Sequence, residues 1–203
     1  MSLFKRLLFP NYKSEEKAKR ADKTDQSSYY PEQKLPIDEK FTYNFKNNGG
    51  KFIYCENWED LNEAFDNIML ENDWYEQDVF CINEMLSKKF EGFNLNFVKN
   101  TESKFFLSTC ESLVANNGSI LLSSNQIKEK KLKELPSNFI IFATTSQIVD
   151  TISEGLRTIK NQSSSYIPSN ITTIQDFETE KEKDFMSYGS STKNLYLLLL
   201  EDL

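Results

Sequence analysis

Several polar phrases in the sequence hold residue types that could grip an anion. Asn116-Asn117-Gly118-Ser119 stands just before an apolar run and offers backbone N–H groups, two amides and a hydroxyl to a carboxylate or phosphate. The same Asn-Gly pair also makes a plain positive-φ turn. Thr144-Thr145-Ser146-Gln147 lies between a strand-like and a helix-like run, where α/β folds place ligands and a helix N-terminus attracts negative charge. Ordinary helix capping would use the same residues. Ser169, Thr172 and Thr173 add hydroxyls beyond Pro168, with Gly189 to Ser191 as a further rim, all expected on surface loops. Arg157 is the only arginine after residue 20, and a guanidinium is the natural fork for a small carboxylate. Its place late in an amphipathic helix equally suits a solvated role or the C-terminal helix dipole.

Much chemistry is excluded by what the chain lacks. It has no histidine, which removes Ser-His-Asp and Cys-His catalysis, histidine proton shuttling and histidine metal ligation together. Cys55, Cys81 and Cys110 form an odd, widely spaced set without a C-x-x-C pair, and each adjoins apolar residues. They are expected to be buried free thiols of a reducing compartment. A bound iron–sulfur cluster or zinc ion is not expected, since each normally takes four ligands of these types. Neither G-x-G-x-x-G nor G-x-x-x-x-G-K-[ST] occurs, so the glycines that cradle dinucleotide or nucleotide phosphates are missing. Glu178, Glu180 and Glu182 belong to a charged run that reads as a solvated loop. With 31 acidic residues against 24 basic ones and a formal charge of −7, the chain would repel nucleic acid.

The elements that must position these residues alternate between strand-like and helix-like runs, the pattern of an α/β domain with a mainly parallel sheet. Residues 1–36 read as a tail and polar linker, and residues 37–203 as one domain. Phe41 to Phe45 predicts a helix closed by Asn47-Asn-Gly-Gly50, and Phe52 to Cys55 the strand after it. Trp58, Leu61, Ala64, Phe65, Ile68 and Met69 recur at helical spacing behind Asn57, a suitable N-cap. Val79 to Ile82, Leu95 to Val98, Lys104 to Thr109, Ser119 to Ser123 and Asn138 to Ala143 read as strands, and Met85 to Phe90 as a short helix. Glu111 to Ala115 reads as a short helical step. Ile148, Val149, Ile152, Leu156 and Ile159 predict one helix behind Thr145 or Ser146. Asn194-Leu-Tyr-Leu-Leu-Leu-Leu200 is uniformly apolar, as a central strand covered on both faces would be.

Five phrases, taken in order, resemble the LUD family of lactate-utilization proteins, also known as DUF162. Phe45-Lys-Asn-Asn-Gly-Gly-Lys-Phe52 is similar to its opening helix, glycine pair and first strand. Leu113-Val-Ala-Asn-Asn-Gly-Ser-Ile-Leu-Leu-Ser123 is similar to its central A-E-T-G-T turn and strand. Leu135-Pro-Ser-Asn-Phe-Ile-Ile-Phe-Ala143 with Ser146-Gln-Ile-Val149 matches its proline-led strand and following helix. Pro168-Ser-Asn-Ile-Thr-Thr-Ile174 resembles its G-P-S-x-T-x-D-I stretch, and Tyr188-Gly189 before the Leu-rich strand its G-x-H-G-P close. The resemblance spans roughly residues 38 to 203. It implies a three-layer Rossmann-like sheet of the NagB/RpiA/CoA-transferase-like type, related to sugar-phosphate isomerases, CoA transferases and folate cyclo-ligases. Where the family often offers a glutamate, an aspartate and a histidine, this chain has Asn116, Thr173 and no histidine. Neither asparagine nor threonine is a general base at ordinary pH.

The resemblance further implies a cytoplasmic role beside iron–sulfur and flavin partner proteins in oxidising L-lactate to pyruvate. On that expectation the chain is an accessory or ligand-binding subunit that binds no cofactor itself, and a small organic anion is its candidate ligand. A CoA-transferase or isomerase-like enzyme acting on an acyl or phosphorylated substrate is the alternative. A third is a regulatory adaptor using the tail: Leu3, Phe4, Leu7 and Leu8 would share a face beside Lys5 and Arg6, suited to a membrane surface or a partner. No signal peptide is expected, because the opening apolar run stops at Pro10, and no stretch approaches transmembrane length.

Overall fold

The computed structural model describes residues 35–162, 167–177 and 192–202. Among these the strands in chain order are β1 Lys51–Cys55, β2 Asp78–Phe80, β3 Asn96–Val98, β4 Phe105–Thr109 and β5 Ser112–Val114. They continue with β6 Ser119–Leu122, β7 Asn138–Thr144, β8 Ile148–Val149, β9 Thr172–Ile174 and β10 Asn194–Leu200. The α-helices are α1 Ile37–Asn47, α2 Trp58–Asn72, α3 Glu84–Lys89, α4 Ser124–Ile127 and α5 Ile152–Gln162.

Six strands form one sheet in the order β1-β10-β7-β4-β2-β3, every neighbouring pair parallel. Alternate side chains feed two cores, as the period of a strand requires. Leu195, Leu197 and Leu199 of β10 join Phe41 and Phe45 of α1, whereas Tyr196, Leu198 and Leu200 join Leu61, Phe65, Ile68 and Met69 of α2. Both faces are therefore covered, in keeping with the run of Leu195, Tyr196 and Leu197 to Leu200. The result is a three-layer Rossmann-like α/β fold.

Local signals place α2 and α3. The Asn57 side-chain Oδ1 accepts from the Glu59 and Asp60 N–H groups at 2.8 and 2.9 Å, and Asn83 Oδ1 does the same for Met85 and Leu86 at 3.0 and 3.1 Å. These bonds satisfy donors that a helix start leaves open.

A second sheet, β8-β5-β6-β9, lies on the side of the first core. It corrects three expectations. Glu111 to Ala115 is not a helical step: Ser112–Val114 is β5, antiparallel to β6 and parallel to β8. The predicted helix from Ile148 is two elements, β8 and then α5 starting at Ile152, behind a 3₁₀ turn over Thr145–Gln147. Ile148 and Val149 fit helical spacing in sequence, but they pair with Leu113 and Val114. Thr172 and Thr173 are not loop residues, because they pair with Leu122 and Leu121 of β6 in β9. Gly155 lets α5 approach this sheet: a Cβ there would stand 3.0 Å from Leu121 Cδ2. Among the described residues no helix is long and apolar enough to cross a membrane.

Candidate functional site

In a parallel sheet with helices on its faces, ligands sit beyond the carboxyl ends of the strands, near the point where strand order reverses. Here β2 leads outward to β3, while β4 leads back towards β7 and β10, so the reversal falls between β2 and β4. The residues just beyond the carboxyl ends of β4, β7 and β10 build a polar rim.

After β10, Asp202 gathers the turn that follows β7. Its Oδ1 accepts the Thr145 hydroxyl at 2.8 Å and the Ser146 N–H at 2.9 Å, while Oδ2 accepts the Ser146 hydroxyl at 2.6 Å. Partial desolvation pushes the Asp202 carboxyl up, but the Ser146 hydroxyl and N–H together with the Thr145 and Thr144 hydroxyls outweigh it and hold the pKa at about 2. Gln147 closes the same turn. Its Oε1 accepts from the Thr144 N–H at 2.9 Å, and its Nε2 donates to the Cys110 carbonyl at 2.7 Å. That bond ties the end of β7 to the end of β4.

Next along the rim is Glu111, two residues past the end of β4. Its Oε1 accepts the buried Ser123 hydroxyl at 2.5 Å and the Asn125 amide at 2.9 Å. Ser123 also starts α4 through a capping box with Gln126. Ser169 docks here: its N–H donates to Ser124 Oγ at 3.0 Å, and its carbonyl accepts the Ser124 N–H at 2.8 Å. On the β1 side, the Tyr54 hydroxyl donates to Glu201.

The sequence candidates thus divide. Thr145, Ser146, Gln147 and Ser169 come to the rim around Cys110 and Glu111. Thr172 starts β9 close by, and Thr173 follows it with an exposed side chain. Asn116, Asn117, Gly118 and Ser119 sit at the opposite end of the β5–β6 hairpin, packed on α1. Asn44 Nδ2 donates to the Ala115 carbonyl at 2.8 Å, and Asn48 Nδ2 to the Asn117 carbonyl at 2.7 Å. Asn117 Oδ1 accepts the Ser119 hydroxyl at 2.8 Å. Gly118 has φ +66°, and a Cβ there would stand 2.4 Å from the backbone of Asn44 and Phe45, so only glycine fits. Arg157 is exposed on α5. Gly189 lies outside the described residues, as do Glu178, Glu180, Glu182 and Leu3 to Phe9.

Sequence reasoning missed Asp202, Glu111, Ser123 and Asn125. A signal for the first two was present, since each is the acidic residue just past a strand-like apolar run. The three cysteines are free and buried. Burial, aided by Asp60, pushes the Cys55 thiol up to about 12, and burial pushes Cys81 up to about 11 and Cys110 higher still, so all three stay protonated at neutral pH. Among the described residues no three His, Cys, Asp or Glu side chains gather as a metal-binding set. A shallow depression lined by Glu76, Asp78, Glu102 and Lys104 lies at the other, amino-terminal edge of β2 and β4.

A family model for the LUD domain matches residues 39–199. The chain belongs to the LUD-domain family. A crystal structure of a DUF162 family protein from Deinococcus radiodurans shares the fold, with a TM-score of 0.55 at 12% identity, covering 82% of this chain and 96% of that one. No curated protein matches the chain. Membership associates this LUD domain with lactate utilization.

Proposed function

We propose that this LUD-domain protein is a non-redox accessory or ligand-binding subunit in the oxidation of L-lactate to pyruvate, working beside iron–sulfur and flavin partner proteins in the cytoplasm. The observation that carries this reading is how the rim spends its polar groups. Asp202 and Glu111 each accept hydrogen bonds from hydroxyls and amides of the same chain, and the three thiols are buried and protonated. A nucleophile activated by an adjacent base is the signature of covalent catalysis. This arrangement instead fixes a shape for binding. Redox cofactors on this reading belong to the partners, and the candidate ligand is a small organic anion.

The test is affinity purification of the tagged, full-length protein from its native cells grown on lactate. Recovery of iron–sulfur and flavin oxidoreductases supports the assignment, and their absence under conditions that preserve complexes sinks it. L-Lactate or pyruvate that raises the melting temperature in wild-type protein but not in Ser146→Ala would place the ligand at the rim, since a ligand stabilises the state it binds by mass action.

A second reading, a CoA-transferase or isomerase-like enzyme, is favoured by one feature. The half-buried Glu111 carboxylate sits at the strand-order reversal beside a buried serine. Turnover of acyl-CoA or sugar-phosphate substrates that disappears in Glu111→Gln would establish it.

A further inference from the structure

The sequence holds two Asn-Gly steps, Asn48-Gly49 and Asn117-Gly118, and the fold brings both into one contact. Asn48 stands just past α1, and Asn117 lies in the turn between β5 and β6. Asn48 Nδ2 donates to the Asn117 carbonyl at 2.7 Å and reaches the Gly118 carbonyl at 3.4 Å. The Asn48 carbonyl in turn accepts the Phe177 N–H at 3.0 Å, and the Phe177 ring packs on Phe45 of α1 with centroids 4.8 Å apart. One residue thus ties together the end of α1, the hairpin turn and the chain after β9.

An Asn-Gly step is where an asparagine side chain is most open to attack by its own main chain, because glycine puts no side chain in the way. The glycine nitrogen bonds to the asparagine Cγ, and the side-chain nitrogen leaves as ammonia, carrying the proton from the glycine nitrogen. Water then opens the cyclic imide to aspartate or isoaspartate, and it is the only co-reactant. The closed contact obstructs this chemistry at both steps. Gly49 N–H donates to the Lys46 carbonyl at 3.0 Å and Gly118 N–H to the Val114 carbonyl at 2.9 Å, so each attacking nitrogen is already engaged. The leaving nitrogen of Asn48 is held by two carbonyls, and Asn117 Oδ1 is held by the Ser119 N–H and hydroxyl at 3.2 and 2.8 Å.

The products do not fit the same contact. Conversion of Asn48 to aspartate would set a carboxylate oxygen against the Asn117 and Gly118 carbonyls in place of a donor. Conversion of Asn117 to isoaspartate would add a main-chain carbon beside Gly118, where even a Cβ would stand 2.4 Å from the backbone of Asn44 and Phe45.

We propose that the Asn48–Asn117 contact is a site of spontaneous deamidation gated by opening: both steps are protected while α1 and the β5–β6 turn stay together, and conversion after they part bars reclosure. The inference concerns the packing of α1 and stands apart from any role with lactate.

Peptide mass mapping of the full-length protein, incubated in mildly alkaline buffer with and without denaturing urea, tests it. Local opening limits the reaction in the folded chain, so conversion at Asn48 and Asn117 is expected to be at least about tenfold slower without urea. Asn48→Ala removes the donor to the hairpin turn and should speed conversion of Asn117 in the folded chain about threefold or more. A third readout needs no variant: converted wild-type protein, separated by its added negative charge, should melt at least about 3 °C below the unconverted fraction. Equal rates with and without urea overturn the proposal, as does unchanged Asn117 conversion in an Asn48→Ala chain that circular dichroism shows to be folded. A converted fraction that melts with the unconverted one overturns the bar to reclosure.

Discussion

Two charged residues show how environment decides what an ionisable group contributes. Asp202 is held ionised by the hydroxyls and N–H around it, with a pKa near 2 against an ordinary 3.8. A depressed carboxyl stabilises the fold above about pH 4 and loses that contribution as pH falls through 2. Asp202→Asn should therefore be less stable than wild type at neutral pH, with the gap closing between about pH 4 and 2 in urea titrations. Lys193 is the reverse case. It is 4% exposed, donates to the Leu135 and Pro136 carbonyls at 3.0 and 2.9 Å, and burial lowers its pKa from 10.5 to about 8. Below pH 8 the folded and unfolded chains are both protonated and the desolvation cost is fully present. Between pH 8 and 10.5 the unfolded chain binds more protons, so this residue makes stability rise with pH. The buried thiols oppose that rise above pH 9, but they are common to wild type and Lys193→Met. The stability difference between those two proteins should shift towards wild type from pH 8 to 10.5, and a flat difference would show that Lys193 does not titrate in this way.

At the scale of elements, legibility followed length and locality. Helix α2 was readable because six apolar residues keep its period over fifteen positions and Asn57 marks its start. Replacing that cap in Asn57→Ala leaves the Glu59 and Asp60 N–H groups without it and should cost about 1 kcal/mol in chemical denaturation. The second sheet was not readable, since β5, β8 and β9 hold only three, two and three residues. Runs that short fit a helix and a strand alike, and what settles them is pairing with chain-distant neighbours. The same reason divides the site. Thr145 to Gln147 could be picked out from a strand-to-helix boundary, but their anchor, Asp202, is 57 residues from Thr145. Asn116 to Ser119 fitted an anion-binding phrase locally, whereas Asn48, just past α1, holds the Asn117 carbonyl and Asn44 of α1 holds the neighbouring Ala115 carbonyl.

On the scale of the whole molecule, the strand order places the last element of the chain inside the sheet. β10 pairs with β1 from Lys51 to Cys55 on one side and with β7 from Asn138 to Thr144 on the other, and both cores draw on its leucines. Without it, β1 and β7 would expose two unpaired edges, and Phe41, Phe45, Leu61 and Phe65 would lose the surface they cover. Burying each of its leucines contributes roughly 1.5–3 kcal/mol, while a domain's net stability is only about 5–15 kcal/mol. Deleting residues 194–203 removes five leucines of β10 and both ladders at once, a loss larger than that margin. A chain ending at Lys193 should show no cooperative thermal transition by circular dichroism and should expose its thiols to Ellman's reagent without denaturant. A cooperative transition near the wild-type temperature would mean that β1 and β7 can close on each other. Because β1 must wait for a strand made about 140 residues later, folding carries the loop-closure cost of a high contact order.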